Sequence, residues 1–419
     1  MLIHLAKWRI IAAGIIGNVI EYYDFALIGF LVVIMGQLFF PSNDPFLSLL
    51  GSFGAFAAGM IMRPIGAIFF GHIGDKIGRK HALIGSLVMM ALPTFLIGFL
   101  PIYAQIGIIA PIILVLLRMI QGFSVGGEYA SSIVYLVEES PRGHANLYGS
   151  FVSLGAKLGM AIGAGFCGIL LGYLGEDSMM EWGWRVPFWS SMVLALIGVY
   201  LRRHLTDNYE APKTKEIPIV KIIKHHRREF WLFLALASAI WILYYTLFVY
   251  MPVWLQTYGG LDKATSSYIN TYSIILGVIF IPVMAIVADR FGSLRLMRLS
   301  AITTTISIIP IFMLMGSQNI YTILIAISIM TILLCTFQAP IFAATVNAIS
   351  THSYRASFTA VILGSAAGIV GGSTPALMTA ITKISGEPLS PAFLIALFAI
   401  VGWWATKRIS SSRTKSSNL

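Results

Sequence analysis

Six ionisable side chains stand inside long apolar stretches of the chain: Glu21, Asp24, Arg63, Arg118, Glu128 and Lys157. A charge held in hydrocarbon is costly, so each marks a place where a proton or a charged solute is handled. Glu21 and Asp24, three residues apart, share one helical face, as do Arg118 and Gln121 on another stretch. At about 1.5 Å of rise per residue, Glu21, Asp24, Arg118 and Lys157 all fall near mid-depth, where a carboxylate–guanidinium pair is geometrically reasonable. Burial favours a neutral acid and a nearby cation favours its anion, so a balance that shifts with access couples a proton to another event. The candidates for that proton are, in order, Asp24, Glu21 and Glu128. The competing reading makes one of the first two the permanent counter-ion of Arg118. The planar fork of Arg118 suits a bound carboxylate, or else an internal clamp between helices. Lys157, in Gly155-Ala156-Lys157-Leu158-Gly159, offers a second anion contact or tunes the acids. Arg63 stands further toward the cytoplasmic end and reads as gate structure.

Aromatic side chains complete this set. Tyr22, Tyr23, Trp241, Tyr244 and Tyr245 would seat a quaternary ammonium or a secondary amine by cation–π attraction. Tyr250 and Trp254 read as an interfacial belt. No metal-ligand spacing appears: the eight histidines lie at the ends of apolar runs or in loops, and Cys167 and Cys335 read as small core hydrophobes. Neither a catalytic constellation nor a Walker loop is present, which excludes an enzyme and ATP-driven work by this chain. No cofactor is implied.

The elements that must position these groups are membrane spans. Of 419 residues, 58% are hydrophobic and 11% charged, which excludes a water-soluble globular protein. Twelve runs of spanning length fall near 9–38, 47–71, 81–101, 108–137, 145–174, 185–202, 231–257, 266–288, 296–316, 320–349, 356–382 and 390–407. The first run is too long for a cleaved signal peptide, so the N-terminus is expected to be retained. With twelve spans, 22 of the 28 Lys and Arg, Arg202 among them, fall on the side that holds both termini. Three (Arg185, Lys263, Lys383) fall on the other side and three (Arg63, Arg118, Lys157) inside spans. Both termini are therefore expected to be cytoplasmic. That placement accounts for the net charge of +11 without a nucleic-acid partner. The basic stretch 203–230 reads as a cytoplasmic linker beside membrane lipid, separating a bundle over 1–202 from one over 231–419.

A short motif repeats at equivalent places in the two halves. Asp75-Lys76-Ile77-Gly78-Arg79-Lys80 follows span two and Asp289-Arg290-Phe291-Gly292 follows span eight. Each loop offers a carboxylate for the positive end of a helix and cations for carboxylates or headgroups, a latch able to hold one face closed. Duplicated six-helix units of this kind are typical of secondary transporters, with solute held near the midplane. Glycines four apart, Gly155/Gly159/Gly163 and Gly364/Gly368/Gly372, would let helices approach closely.

With Gly71 added, the first loop reads G-x-x-x-D-x-x-G-R-K, which resembles the signature loop of the major facilitator superfamily. Gly17-Asn18, Glu21 to Phe25, Arg63-Pro64-Ile65-Gly66 and the string Arg118 to Tyr129 resemble its metabolite:proton symporter family. Gly183 to Phe188, Tyr244-Tyr245 and Tyr250-Met251-Pro252 look like the bacterial proline/glycine betaine members. The resemblance implies an all-α fold of twelve transmembrane helices in two pseudo-symmetric six-helix bundles. It also implies a monomeric proton symporter of a small metabolite in a bacterial inner membrane. Proline, glycine betaine or a related zwitterion fits Arg118 and the aromatic set. A dicarboxylate or tricarboxylate such as 2-oxoglutarate or citrate is the alternative, with Lys157 as second cation. Two departures stand out. No heptads follow residue 407, so gating through a coiled coil is not expected. Ser293 stands where an Arg often follows the second loop, which would weaken that latch.

Overall fold

The computed structural model describes residues 2–43, 45–203, 218–349 and 354–416. Among these, all regular structure is helical. Eleven helices are long and apolar enough to cross a membrane: α1 (Ile11–Phe39), α2 (Gly54–Lys76), α3 (Arg79–Ile97), α4 (Ile109–Glu138), α5 (Ala145–Gly183), α7 (Arg227–Thr257), α8 (Thr265–Phe291), α9 (Ser293–Met315), α10 (Ile320–Val346), α11 (Arg355–Ser385) and α12 (Ser390–Ser410). The sixth in chain order, α6 (Arg185–Arg203), has 19 residues with arginines at both ends, which lower its apolarity. The expected twelve-helix all-α membrane architecture is therefore present. Of the basic stretch after α6, residues 204–217, with Lys213 and Lys215, lie outside the described residues, and Pro218–His225 form a short helix before α7.

Contacts divide the chain into two compact units. The first comprises Met1–Glu139, Phe151–Ile219 and Thr351–Gly364; the second comprises Ser140–Ser150, Val220–Ser350 and Ser365–Leu419. Each unit thus takes in the start of one helix, α11 or α5, from the opposite half of the sequence.

The repeat has a backbone reason. Gly78 before α3 and Gly292 before α9 have φ of 133° and 94°, values that a side chain disfavours, so both loops turn on a glycine. In the first unit the core joins Leu27, Leu31, Phe39, Leu114, Trp184 and Phe188. Trp184 meets Phe39 edge-on at 5.6 Å, and Arg185 lies 4.4 Å over the Trp184 ring while donating to the carbonyls of Gly98 (3.0 Å) and Leu100 (2.8 Å). The G-W-R-V-P-F string is thereby a wedge that also satisfies the open carbonyls following α3.

Helices α2 and α4 touch backbone to backbone. A Cβ at Gly66 would overlap the Phe123 carbonyl, and one at Gly126 would overlap the Arg63 carbonyl. The expected Gly155/Gly159/Gly163 contact is also present, with Gly159 against the Val19 carbonyl of α1 and Gly163 against that of Tyr23. Its second-half counterpart is looser: Gly364 faces Ala67 Cβ, and Gly372 has only the Ala367 carbonyl at 4.0 Å. Gly66→Ala is expected to lower stability by about 1–3 kcal/mol or more, because the added methyl must displace backbone. Gly29→Ala, with nothing within 4 Å, should be neutral. Thermal unfolding in detergent compares the two, and equal midpoints would contradict the seam.

Candidate functional site

Helices α1, α2 and α4 of the first unit build a charged cleft lined by Asp24, Phe25, Phe56, Met60, Arg63, Arg118 and Gln121 among others. A second cleft shares Phe56 and Arg118. Asp24 is saturated. Arg118 Nη1 donates to its Oδ2 at 2.8 Å, while Oδ1 accepts from Arg118 Nη2 (3.3 Å), Gln121 Nε2 (3.0 Å) and Thr94 Oγ1 of α3 (3.2 Å). Arg118 keeps one buried donor, Nε, without an acceptor among the described residues.

Glu21, one turn before, is different. It is 1% exposed, and neither carboxylate oxygen accepts a hydrogen bond among the described residues. Its counter-ion is Arg63, whose Nη2 lies 3.5 Å from Oε1, an ion pair too long for a good hydrogen bond. The Arg63 guanidinium rests 4.6 Å over the Phe25 ring, and Phe25 meets Phe56 edge-on at 5.5 Å. Arg63, expected in the gate, thus lies in the cleft because the α2–α4 glycine seam brings its turn against Gly126.

The third acid, Glu128, belongs to a separate lock. Arg202 from the end of α6 grips both of its oxygens, through Nη1 on Oε2 at 2.9 Å and through Nη2 on Oε1. Ser86 Oγ (2.6 Å) and Ser132 Oγ (3.0 Å) also donate to it. The remaining Arg202 donors reach the carbonyls of Ala13 and Leu83. Gly17 makes room: a Cβ there would overlap the Glu128 carboxylate. Arg202 is 0% exposed, so it is the buried partner of Glu128 rather than a solvated charge. A cation at the polar end of a run, beside Arg203, gives no sequence sign that it folds inward.

Other expected site residues divide. Tyr22 packs on Phe25, with ring centroids 5.5 Å apart. Tyr23 is instead a core residue, its hydroxyl 2.9 Å from the Pro187 carbonyl that accepts from it and 2.6 Å from Ser190 Oγ. Lys157 is buried on α5 and lines neither cleft. In the second unit Trp241, Tyr244 and Tyr245 form one cluster, with centroids 5.1, 5.6 and 6.0 Å apart, ahead of a π-helical turn over Thr246–Tyr250. Gly371 lies against the Tyr245 ring. Tyr250 and Trp254 are buried rather than belted: Tyr250 bonds Thr382 Oγ1 at 3.1 Å and Trp254 Nε1 donates to the Pro388 carbonyl at 2.9 Å.

Both repeated loops cap a helix. In the first unit Asp75 accepts from the backbone N–H of Ala356 (3.1 Å) and Ser357 (2.8 Å), the first turn of α11, and from Arg79 Nη1 (2.8 Å). Gly71 lets that turn approach, since a Cβ there would crowd Ser357. Arg79 also reaches Glu138 at 3.3 Å, which Arg355 faces at 3.6 Å. In the second unit Asp289 accepts from the backbone N–H of Asn146 (2.9 Å) and Leu147 (3.1 Å) at the start of α5. Ser293 donates to Asn146 Oδ1 at 2.9 Å, a neutral bond where a charged one was expected to be missed. Carboxylates at helix N-termini satisfy open N–H groups and oppose the dipole. Lys80 donates to the Arg203 carbonyl (2.8 Å), and Arg290 is exposed at the end of α8.

Residues 14–371 match the family model described as Major Facilitator Superfamily. The chain belongs to that superfamily. This member is a multi-pass membrane transporter and not an enzyme. It is 32% identical over 413 residues to the proline/betaine transporter of Salmonella typhimurium, covering 94% of this chain and 81% of that one. It is likewise 32% identical over 406 residues to a putative proline/betaine transporter of Staphylococcus aureus, covering 95% and 87%. The glycine betaine/proline/ectoine/pipecolic acid transporter OusA of Dickeya dadantii is 31% identical over 410 residues, covering 94% and 81%. The fold of this chain matches the solved proton:xylose symporter XylE with a TM-score of 0.77 at 15% identity, covering 97% and 95% of the two chains. The fucose:proton symporter FucP of E. coli matches with a TM-score of 0.71 at 14% identity, covering 95% and 98%.

Within this transporter, Arg202→Met alone should cost about 3–5 kcal/mol of stability, because Glu128 is left buried and unpaired. Adding Glu128→Leu should recover most of the loss. Unfolding midpoints of the two variants check this, and a double variant no better than the single one would contradict the lock.

Proposed function

We propose that this transporter is a proton-coupled symporter that accumulates a small zwitterion of the proline and glycine betaine class across a bacterial inner membrane. Glu21 carries the proton. The observation behind this reading is the contrast between the acids of the first unit. Asp24 and Glu128 each have a guanidinium fork and hydroxyl donors, whereas Glu21 accepts no hydrogen bond among the described residues and has one long ion pair. A proton added to Asp24 or Glu128 would break several charge-assisted bonds, and one added to Glu21 breaks none. Asp24 is then the standing counter-ion of Arg118, and Glu128 that of Arg202.

The names of the relatives support the substrate class. The names of those relatives lend no support to the alternative, a dicarboxylate or tricarboxylate. Both termini are cytoplasmic in this reading, which the distribution of Lys and Arg supports. The Asp75 and Asp289 caps then hold the cytoplasmic starts of α11 and α5, and release of those N–H groups accompanies opening to that side.

The test is uptake of radiolabelled proline and glycine betaine into proteoliposomes under an inward proton gradient. Wild-type protein should accumulate substrate until a protonophore is added. Glu21→Gln should abolish uphill accumulation and retain counterflow. Full uphill uptake by Glu21→Gln would sink the assignment.

A further inference from the structure

We infer that Arg63, Arg118 and Phe56 form the carboxylate and cation subsites for the zwitterion, and that protonation of Glu21 opens them by freeing Arg63. The inference rests on Glu21 as the proton carrier. Its first support is the charge balance of the cleft. Two guanidinium groups, Arg63 and Arg118, pair with two carboxylates, Glu21 and Asp24, so this set of four is neutral while Glu21 is ionised. A proton on Glu21 leaves one positive charge in excess. Buried and unpaired, that charge is restored to balance by the carboxylate of an entering solute.

The geometry says which arginine changes partner. Arg118 gives Asp24 two hydrogen bonds, and Gln121 and Thr94 hold the same carboxylate with two more, but Arg63 has a single acid at 3.5 Å. Arg63 Nη2 and Arg118 Nε are buried donors with no acceptor among the described residues, and both side chains line the same cleft. Together they offer a carboxylate two N–H groups on two planes. Phe56 lines both clefts beside Arg118 and is the aromatic ring of the cleft assigned here to the cationic end, since Arg63 already covers Phe25. Gln121 Oε1, buried and without a donor among the described residues, is left to accept from a secondary ammonium.

The other charged groups near Glu21 stand outside this set of four. Glu128 of α4 also faces Glu21 but is neutralised by Arg202 of α6. Asp24, on α1 itself, is neutralised by Arg118 of α4. From α5, which packs on α1 at Gly159, Lys157 is the buried cation. In the cycle Glu21 gains one proton, the solute carboxylate pairs with Arg63, and loss of the proton to the other side restores the Glu21–Arg63 pair and expels the solute. One positive charge crosses with each zwitterion.

The experiment is equilibrium binding of radiolabelled glycine betaine to the purified full-length protein in lipid nanodiscs, without a gradient. Wild-type affinity should tighten by up to about tenfold per unit fall in pH, the linkage of one proton to one ligand. Glu21→Gln should bind tightly with no pH dependence. Glu21→Gln combined with Arg63→Gln, which leaves neither charge uncompensated, should lose about tenfold or more, and Arg63→Lys should fall between. The isostere 3,3-dimethylbutyrate, which keeps the carboxylate and has a neutral quaternary carbon in place of the ammonium, should compete less well than betaine, and Phe56→Leu should erase that difference. Double-variant affinity equal to that of Glu21→Gln overturns the subsite while leaving proton coupling by Glu21 intact. Persisting pH dependence in Glu21→Gln overturns the proton reading itself.

Discussion

A guanidinium cannot stay in hydrocarbon without an anion, and the first unit is organised around that requirement. The four buried arginines among the described residues, Arg63, Arg79, Arg118 and Arg202, each meet a carboxylate: Glu21, Asp75 with Glu138, Asp24, and Glu128. Three of these pairs are reinforced by further hydrogen bonds and hold helices together. The Glu21–Arg63 pair is the least satisfied, and its arginine lines the cleft. Strength and function are therefore divided by hydrogen-bond saturation rather than by the chemistry of the side chains.

Short polar reach makes close helix approach a condition for every pair. Gly17 admits the Glu128 carboxylate to α1, and Gly126 admits the Arg63 turn to α4. A methyl at either place would displace a charge from its partner. The glycines needed for packing are in this sense part of the electrostatics.

Much of this was legible in the chain because span periodicity is strong. Twelve runs, the side of the Lys and Arg excess and the i, i+3 sharing of faces by Glu21 with Asp24 and Arg118 with Gln121 all follow from spacing. Which acid pairs with which base does not, because it depends on the rotation of one helix against another. Glu21 and Asp24 share a face yet meet different arginines on different helices. Adjacent tyrosines show the same limit: Tyr22 stays beside Phe25, while Tyr23, turned by one residue, enters the core against α6. Arg202 was hidden by its place at a run end. The helix that each repeated loop caps lies far away in sequence, so the loops marked a carboxylate at a helix N-terminus but not whose terminus it was.

The central claim is that one carboxyl group, on Glu21, becomes protonated as the zwitterion binds. The most direct measurement is the betaine-induced infrared difference spectrum of the protein in lipid, recorded in H2O and D2O. The account requires a deuterium-sensitive carbonyl band of a protonated carboxylic acid that appears with betaine, persists in wild-type protein and is missing in Glu21→Gln. A spectrum without such a band, or a band that survives unchanged in Glu21→Gln, would contradict it.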